Sequence, residues 1–302
     1  MSLIAIIVSL ILERTVESLR RFRRFEWFDA YTDHVKDFCG QRNWLGPLAV
    51  VLVMLGPVLV IAIINAIFFE VWLGLFSLAF STAVLYLCLG PKDIEQQVET
   101  FLDAWSNEDE PTARAAAEEI LGEAPPEKLS ELQQDMVEQI LLQANERVLT
   151  PIFWFAVFNA LGGGPLGAVL YRFSCHMKLR YANEKDEFAN AARRLHAILG
   201  WLPAHIAALI FAIAGSFVDA ISRWRERSAK WREDWPEAVE GSILAGGLGA
   251  LKLNHDELED GISAEDVHDR IRSTMGLVLR SVVIMLVLLV IMTLFVWVGQ
   301  AS

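Results

Sequence analysis

Six histidines, His34, His176, His196, His205, His255 and His268, are the first side chains to weigh for acid–base or metal chemistry. None stands at H-x₃-H or H-E-x-x-H spacing, so no helical zinc pair is written into the chain. His196 and His205 bracket Trp201 and Pro203. They either line a polar cavity or sit as ordinary histidines between helices. Cys39, Cys88 and Cys175 are odd in number and unclustered, which argues against a disulfide scaffold or a thiolate zinc site. The run Asn254–Asp269 is rich in carboxylates around Gly261, but Leu258 takes a required ligand position of the calcium-loop template. It reads as a solvated loop. Cys175 and His176 are neighbours in sequence, which does not establish a triad. No catalytic residue, metal ligand or cofactor is assigned on these grounds.

The segment Gly162-Gly163-Gly164-Pro165-Leu166-Gly167 matches G-x-G-x-x-G letter by letter. A dinucleotide fingerprint must follow a strand and open a helix within a βαβ unit, and here both flanks are apolar helix. The segment is instead a hydrophobic helix broken in its middle. Its arms, 151–161 and 166–173, are each too short to cross a bilayer, which takes about 20 helical residues. Three glycines and a proline are unfavourable inside a helix. At membrane depth, unwound backbone must be satisfied by protein or by a water-filled cavity. Such breaks mark binding sites in transporters, and they also let helices pack closely. Both readings stand at this point. If a polar ligand binds there, the candidates are the backbones of Gly163 and Gly164 with Asn159, Tyr171, Arg172, His196, Trp201 and His205. Arg172 could fork onto a carboxylate or phosphate, or simply snorkel to lipid headgroups.

The elements that must position these residues are membrane helices. The 302 residues are 54% hydrophobic, with ten Trp and 17 Phe, and mean hydropathy is +0.37. That is the composition of an all-α, polytopic helical membrane protein. Leu3–Leu12 lacks a basic n-region and a small-residue cleavage site, so it does not read as a cleavable signal. The formal charge of −12 is concentrated: residues 90–150 hold fifteen acidic and four basic side chains. An acidic chain of this kind is a poor nucleic-acid binder. The acidic face reads as a solvated surface, with docking of a basic partner as the alternative.

Along the chain, residues 1–43 read as a short apolar helix followed by a basic, aromatic segment. Arg20, Arg21, Arg23 and Arg24 alternate there with Phe22, Phe25, Trp27 and Phe28, which suits a helix in the headgroup region. Residues 44–92 read as a transmembrane hairpin, Trp44–Phe69 kinked at Gly56-Pro57 and then Val71–Leu89. Residues 93–150 form an acidic soluble module. Ile94, Val98, Phe101, Leu102 and Trp105 make one helical stripe, and Leu129, Leu132, Met136, Ile140, Ala144 and Val148 make another. The two stripes are expected to pair with each other or lean on the membrane helices. Residues 151–275 hold the broken helix, and 276–302 the final span, with Arg280 at its edge. The positive-inside rule places the connectors 13–43, 172–200 and 222–280 on the cytoplasmic side. A single crossing at 151–173 would put 90–150 and 174–200 on opposite sides, whereas a re-entrant or partly submerged helical pair keeps both cytoplasmic, with the C-terminus periplasmic. Expected partners are therefore the lipid bilayer, a protein partner or an anionic small ligand at the break, and a second copy of the chain.

Three blocks now carry a resemblance: NERVLTPIFWFAVFNALGGGPLGAVLYR, RRLHAILGWLPAHIAALI and DWPEAVEGSILAGGLGAL. They resemble the superfamily of cobalamin-pathway CbiB/CobD proteins and their relatives, the AmpE proteins. Pro151, Gly167, Tyr171, Trp201, Pro203, Trp235, Pro236 and Gly249 fall on the shared pattern, and Arg172 stands where the synthases typically carry a lysine. The synthases attach an aminopropanol arm to a corrinoid carboxylate. AmpE is an inner-membrane protein implicated in modulating β-lactamase induction. The opening of the chain, a short apolar helix running into Leu12-Glu13-Arg14, is similar to AmpE.

The departures from the synthase pattern weigh between the two. After the broken helix the synthases carry Asn-Thr-Leu-Asp, and here stand Cys175-His176-Met177-Lys178. In the next block Arg-Leu-Asp-Asp is replaced by Arg194-Leu195-His196-Ala197, and Pro-Ala-Arg by Pro203-Ala204-His205. Amidation with nucleotide activation calls for carboxylates that hold a metal ion and polarise phosphate. The resemblance together with these losses implies a scaffold retained without the chemistry. The expectation is a non-catalytic, multi-pass inner-membrane regulator of the AmpE type, leaning away from an enzyme. The alternatives are a divergent adenosylcobinamide-phosphate synthase and, third, a small-molecule transporter.

Overall fold

The computed structural model describes residues 2–15, 26–39, 46–71, 75–228, 235–253 and 263–301, and among them every regular element is a helix. The basic residues Arg20, Arg21, Arg23 and Arg24, with Phe22, Phe25 and Trp44, lie outside the described residues, as do positions 254–262 of the carboxylate-rich run. Among the described residues three helices are long and apolar enough to cross a membrane, over Gly46–Ile67, Glu187–Ala214 and Ala264–Phe295. The chain divides into two compact units, residues 1–90 with 150–203 and residues 91–149 with 204–302.

The first unit holds α1 (Ser2–Thr15), α2 (Glu26–Cys39), α3 (Gly46–Val71), α4 (Leu75–Cys88), α8 (Thr150–Ala160), α9 (Leu166–Arg180) and the start of α10 (Glu187–Ala214). In α3, Ala49, Val50, Val53 and Met54 are buried, while Leu48, Val51, Leu55, Leu59, Val60, Ile63 and Ile67 are exposed. An outward face made of large aliphatics needs an apolar solvent. The short α1 lies on α4, where buried Ser9 donates to the carbonyl of Thr82 at 2.9 Å. The sequence suggests a second span over 71–89, of which residues 72–74 lie outside the described residues and α4 covers 14. In the other direction, the polar stretch before His196 and the apolar stretch after Trp201 join into one 28-residue helix, α10, which carries Pro203 in its interior.

The second unit holds α5 (Pro91–Ser106), α6 (Glu110–Leu121), α7 (Leu129–Ala144) with a π-helical turn at Asn145–Leu149, the end of α10, α11 (Phe217–Ser228), α12 (Trp235–Ala250) and α13 (Ala264–Ala301). The two amphipathic stripes do close on each other. Phe101, Leu102, Met136 and Ile140 are buried together with Ala113, Ala116, Ala117 and Ile120 of α6. Val267, Ile271 and Val278 from the first half of α13 complete this core, and the indole N–H of Trp105 donates to the carbonyl of Ala264 at 2.8 Å. The final span is therefore the continuation of a helix whose beginning is packed in a soluble-type core. Pro111 in the first turn of α6 and Asp109, whose carboxylate accepts from the N–H of Thr112, set where that helix begins.

Candidate functional site

The broken segment is a tight helical hairpin. In a continuous helix Trp154 and Gly167 would be about 20 Å apart along the axis. Instead, a Cβ added at Gly167 would stand 2.4 Å from the carbonyl oxygen of Trp154. A glycine is required there because the neighbour is backbone, which cannot turn aside. The turn uses positive φ at Gly162 (81°) and Gly164 (57°), the region where an L side chain is strained. Its polar groups are satisfied within it: the N–H of Gly163 donates to the carbonyl of Phe158 at 2.7 Å, and that of Gly162 to the carbonyl of Asn159 at 3.1 Å. Gly164 is buried against the side chain of Asn65 on α3. Close packing accounts for Gly167, and the backbone N–H of Gly163 is already engaged.

Of the residues nominated from sequence, the structure brings Tyr171 and His196 together. Both are buried, with ring centroids 5.2 Å apart and planes tilted by 30°. Ser174 lies between them. Its hydroxyl donates to the carbonyl of Tyr171 at 2.7 Å, and its oxygen faces His196 Nδ1 at 3.3 Å. With the one serine proton committed, Nδ1 is the donor in that second contact. Arg172 is half-buried on α9, and Trp201 is exposed on α10. His205 belongs to the second unit, edge-on to Trp224 of α11 at 5.8 Å.

A different constellation carries the charge, and its acids come from α2. Asp29, Asp33 and Lys36 stand four and three residues apart, so they share one face of that helix. Asp29 Oδ1 lies 2.7 Å from His176 Nε2 and 3.7 Å from Arg180 Nε. Asp33 accepts from the Tyr181 hydroxyl at 2.7 Å and faces Arg180 at 3.5 Å. Lys36 bridges Glu184 and Asp186, the latter at 2.9 Å, and stands over the Tyr181 ring at 4.7 Å from its centroid. Burial and then the bond to Asp33 push the Tyr181 phenol up, so it remains a neutral donor. Burial would lower Lys36, but Glu184 and Asp186 outweigh it and hold the ammonium above its ordinary value. Beneath the charges, Phe28 is fully buried, 4.2 Å from the Phe173 ring. Asp29 and Asp33 are not among the sequence candidates, since arginines and aromatics dominate residues 20–28 beside them. Their spacing with Lys36 was the available signal. Among the described residues no group of three or more His, Cys, Asp or Glu side chains is placed to hold a metal ion.

An all-helical protein with lipid-suited spans and an acid–imidazole–guanidinium cluster at the end of a helical hairpin is the class these observations define. A family model described as CobD/Cbib protein matches residues 6–284, and the chain belongs to that family. Among similar curated proteins is the cobalamin biosynthesis protein CobD of Chromobacterium violaceum, 30% identical over 187 residues, 60% of this chain and 57% of that protein. The protein of the same name from Stutzerimonas stutzeri is 31% identical over 176 residues, 56% of this chain and 54% of that protein. A probable CobD of Pyrococcus furiosus is 31% identical over 122 residues, 39% of this chain and 40% of that protein. The chain thus spans about half the length of the first two relatives. No solved structure matches it.

These matches correct the expectation of a non-catalytic AmpE-type regulator of β-lactamase induction, and with it the leaning away from an enzyme. The family model is described as CobD/Cbib protein, and the relatives are named cobalamin biosynthesis protein CobD. That expectation rested on the missing acids at residues 175–178, and across space Asp29 of α2 lies 2.7 Å from His176 within that run.

Proposed function

We propose that the chain is a membrane-embedded CobD-type synthase of cobalamin biosynthesis, which joins an aminopropanol arm to a corrinoid carboxylate through an amide. The observation that carries this reading is the family match over residues 6–284, which runs through both compact units. The cluster of Asp29, Asp33, His176 and Arg180 supports it, because it returns carboxylates to the segment where the sequence alone lacks them. Amide formation from an amine and a carboxyl group needs groups that orient an ammonium and an anion together, and a mixed-charge face has both. Arg172, on the same helix as His176, is proposed as the contact for an anionic group of the substrate. The exposed aliphatic faces of α3 and of the second half of α13 support a multi-pass protein of the cytoplasmic membrane.

The test is complementation of a bacterial strain that lacks its own synthase, with growth made dependent on cobalamin. Restored growth and corrinoid amide detected by mass spectrometry are the expected result. Full-length protein present in the membrane with no amide formed would overturn the reading.

A further inference from the structure

We infer that the turn between α8 and α9 lies in the headgroup layer of one leaflet while the charged end of α9 lies at the other, so that the hairpin reaches through the whole bilayer. The surface concerned is the tip, residues 159–164, and its partner is the layer of lipid headgroups with the water among them. The contacts that carry this all lie within the first unit.

Helix α3 sets the scale. Its apolar stretch, Gly46–Ile67, is long enough to cross a membrane. Gly46 and Asn65 stand about 28 Å apart along it at the helical rise, close to a hydrocarbon core of about 30 Å. The segment 164–187 touches both marks. At one end, a Cβ added at Gly164 would stand 2.9 Å from Asn65 Oδ1. At the other, a Cβ added at Gly46 would stand 2.7 Å from the backbone carbonyl carbon of Glu187, at the start of α10. Between them α9 packs along α3, and its 15 residues supply about 22 Å of the distance. The intermediate levels agree. Phe173 packs on Phe28 with ring centroids 4.2 Å apart, and Tyr31, one turn along α2, donates to the carbonyl of Leu52, nearer the Gly46 end. Trp154 of α8 meets both Gly167 and the carbonyl of Leu199, which lies about 18 Å from Glu187 along α10. A hairpin that only dipped into one leaflet would stop near the middle of α3, short of Asn65.

Composition separates the two ends. No charged side chain occurs from Val148 to Tyr171, whereas Lys178, Arg180, Glu184, Lys185 and Asp186 stand close together at the end of α9 and after it. Lys36 of α2 joins that end through its bonds to Glu184 and Asp186. A tip that must pass the hydrocarbon core is best uncharged, because an ionised side chain there is costly. At the tip, Ala160, Leu161 and Gly162 are exposed, Leu161 by 77%. Their carbonyls accept no backbone hydrogen bond among the described residues. Bare carbonyls are strongly unfavourable in hydrocarbon, whereas water in the headgroup layer supplies the donors that the end of a helix lacks. The charged groups of α2 and α9 then meet the aqueous face at Gly46, and the tip meets the opposite one.

The experiment places single reactive cysteines at the two ends of the hairpin in the full-length protein. Cys88 and Cys175 are buried and stay, and Cys39 is replaced by Ser. Leu161→Cys marks the tip and Lys185→Cys the charged end, and both positions are exposed. Right-side-out and inside-out membrane vesicles are treated with a maleimide that does not cross lipid, and labelled protein is read by its shift on a gel. Each variant is expected to label in one kind of vesicle and to lose that labelling in the other, with the two variants choosing opposite kinds. Ala160→Cys repeats the tip measurement if Leu161→Cys does not accumulate in the membrane. A tip cysteine that labels from the same face as Lys185→Cys, or from neither face, overturns the inference. The result does not depend on whether the protein forms an amide.

Discussion

The indole N–H of Trp154, on α8, donates to the carbonyl of Leu199, on α10, at 2.9 Å. Leu199 is the residue four positions before Pro203. Proline has no N–H, so inside α10 this carbonyl has lost its intrahelical donor. A side chain from another helix takes the vacant place. The bond ties the hairpin to the long helix at its one interior break, and it explains why a tryptophan and a proline far apart in sequence belong to one structural unit.

Replacing Trp154 with Phe should cost about 1 to 3 kcal/mol, since the carbonyl is left without a donor. Pro203→Ala returns an N–H to position 203 and a partner to Leu199. In that background Trp154→Phe should cost clearly less. Denaturation of the four proteins in one detergent gives the coupling directly. Equal penalties in both backgrounds would mean that Trp154 contributes packing and not the hydrogen bond.

The hairpin turn separates two kinds of glycine. Gly167 faces backbone at 2.4 Å from a built Cβ, so Gly167→Ala should force α8 and α9 apart and destabilise the first unit by about 1 to 3 kcal/mol. Nothing lies within 4 Å of a Cβ at Gly162, and there only its φ of 81° resists substitution. Gly162→Ala should cost about 1 to 2 kcal/mol through the backbone alone, and Gly162→Asn, which tolerates that region, should cost less. If Asn and Ala are equally harmful at position 162, strain is not the reason for the glycine.

Acid should weaken the clamp between α2 and the loop after α9. Burial alone would raise the Asp186 carboxyl, but the bond from Lys36, the N–H of Ala189 and the charge of Lys36 hold it below its ordinary value of 3.8. A carboxyl whose folded value is depressed contributes stability above the unfolded value and loses it as pH falls through the folded one. The loss therefore belongs to the window below about pH 4. Hydrogen exchange at residues 187–190 should rise there in the wild type. Asp186→Asn should exchange faster already at neutral pH and change less across that window. A variant that follows the wild-type curve would show that the pair is not what holds the loop.

How much of this could be read from the chain depended on the range of the interaction. The stripes of α5 and α7 are local, with a period of 3.6, and both found their predicted partner. The break at Gly162–Pro165 was equally plain, because glycine and proline act on their own backbone. What it became was not plain: whether two short arms fold back or run on is decided by the contact of Gly167 with Trp154. The α2–α9 cluster was hidden for the same reason. Asp29 and His176 are 147 residues apart, and no local pattern links them. The missing acids at residues 175–178 are a local feature, whereas the carboxylate that faces His176 comes from α2.

The two halves of α13 should respond to opposite perturbations. Ile271 is fully buried in the core with α5, α6 and α7, whereas Leu294 is 54% exposed on the apolar half. Ile271→Ala should therefore destabilise the second unit by about 2 to 5 kcal/mol, as large-to-small changes in packed cores do. Leu294→Ala leaves the same lipid contact in a smaller form and should fall within about 0.5 kcal/mol of the wild type. A charge reverses the ranking of what matters: Val287→Arg, on the exposed apolar face, should impair membrane insertion by about 2.5 to 3.5 kcal/mol. Denaturation in detergent measures the first pair, and glycosylation-mapped insertion of residues 264–301 in microsomes measures the third. Equal sensitivity of Ile271 and Leu294 would mean that the exposed half is packed against protein, and an unaffected Val287→Arg would remove the second half of α13 from the bilayer.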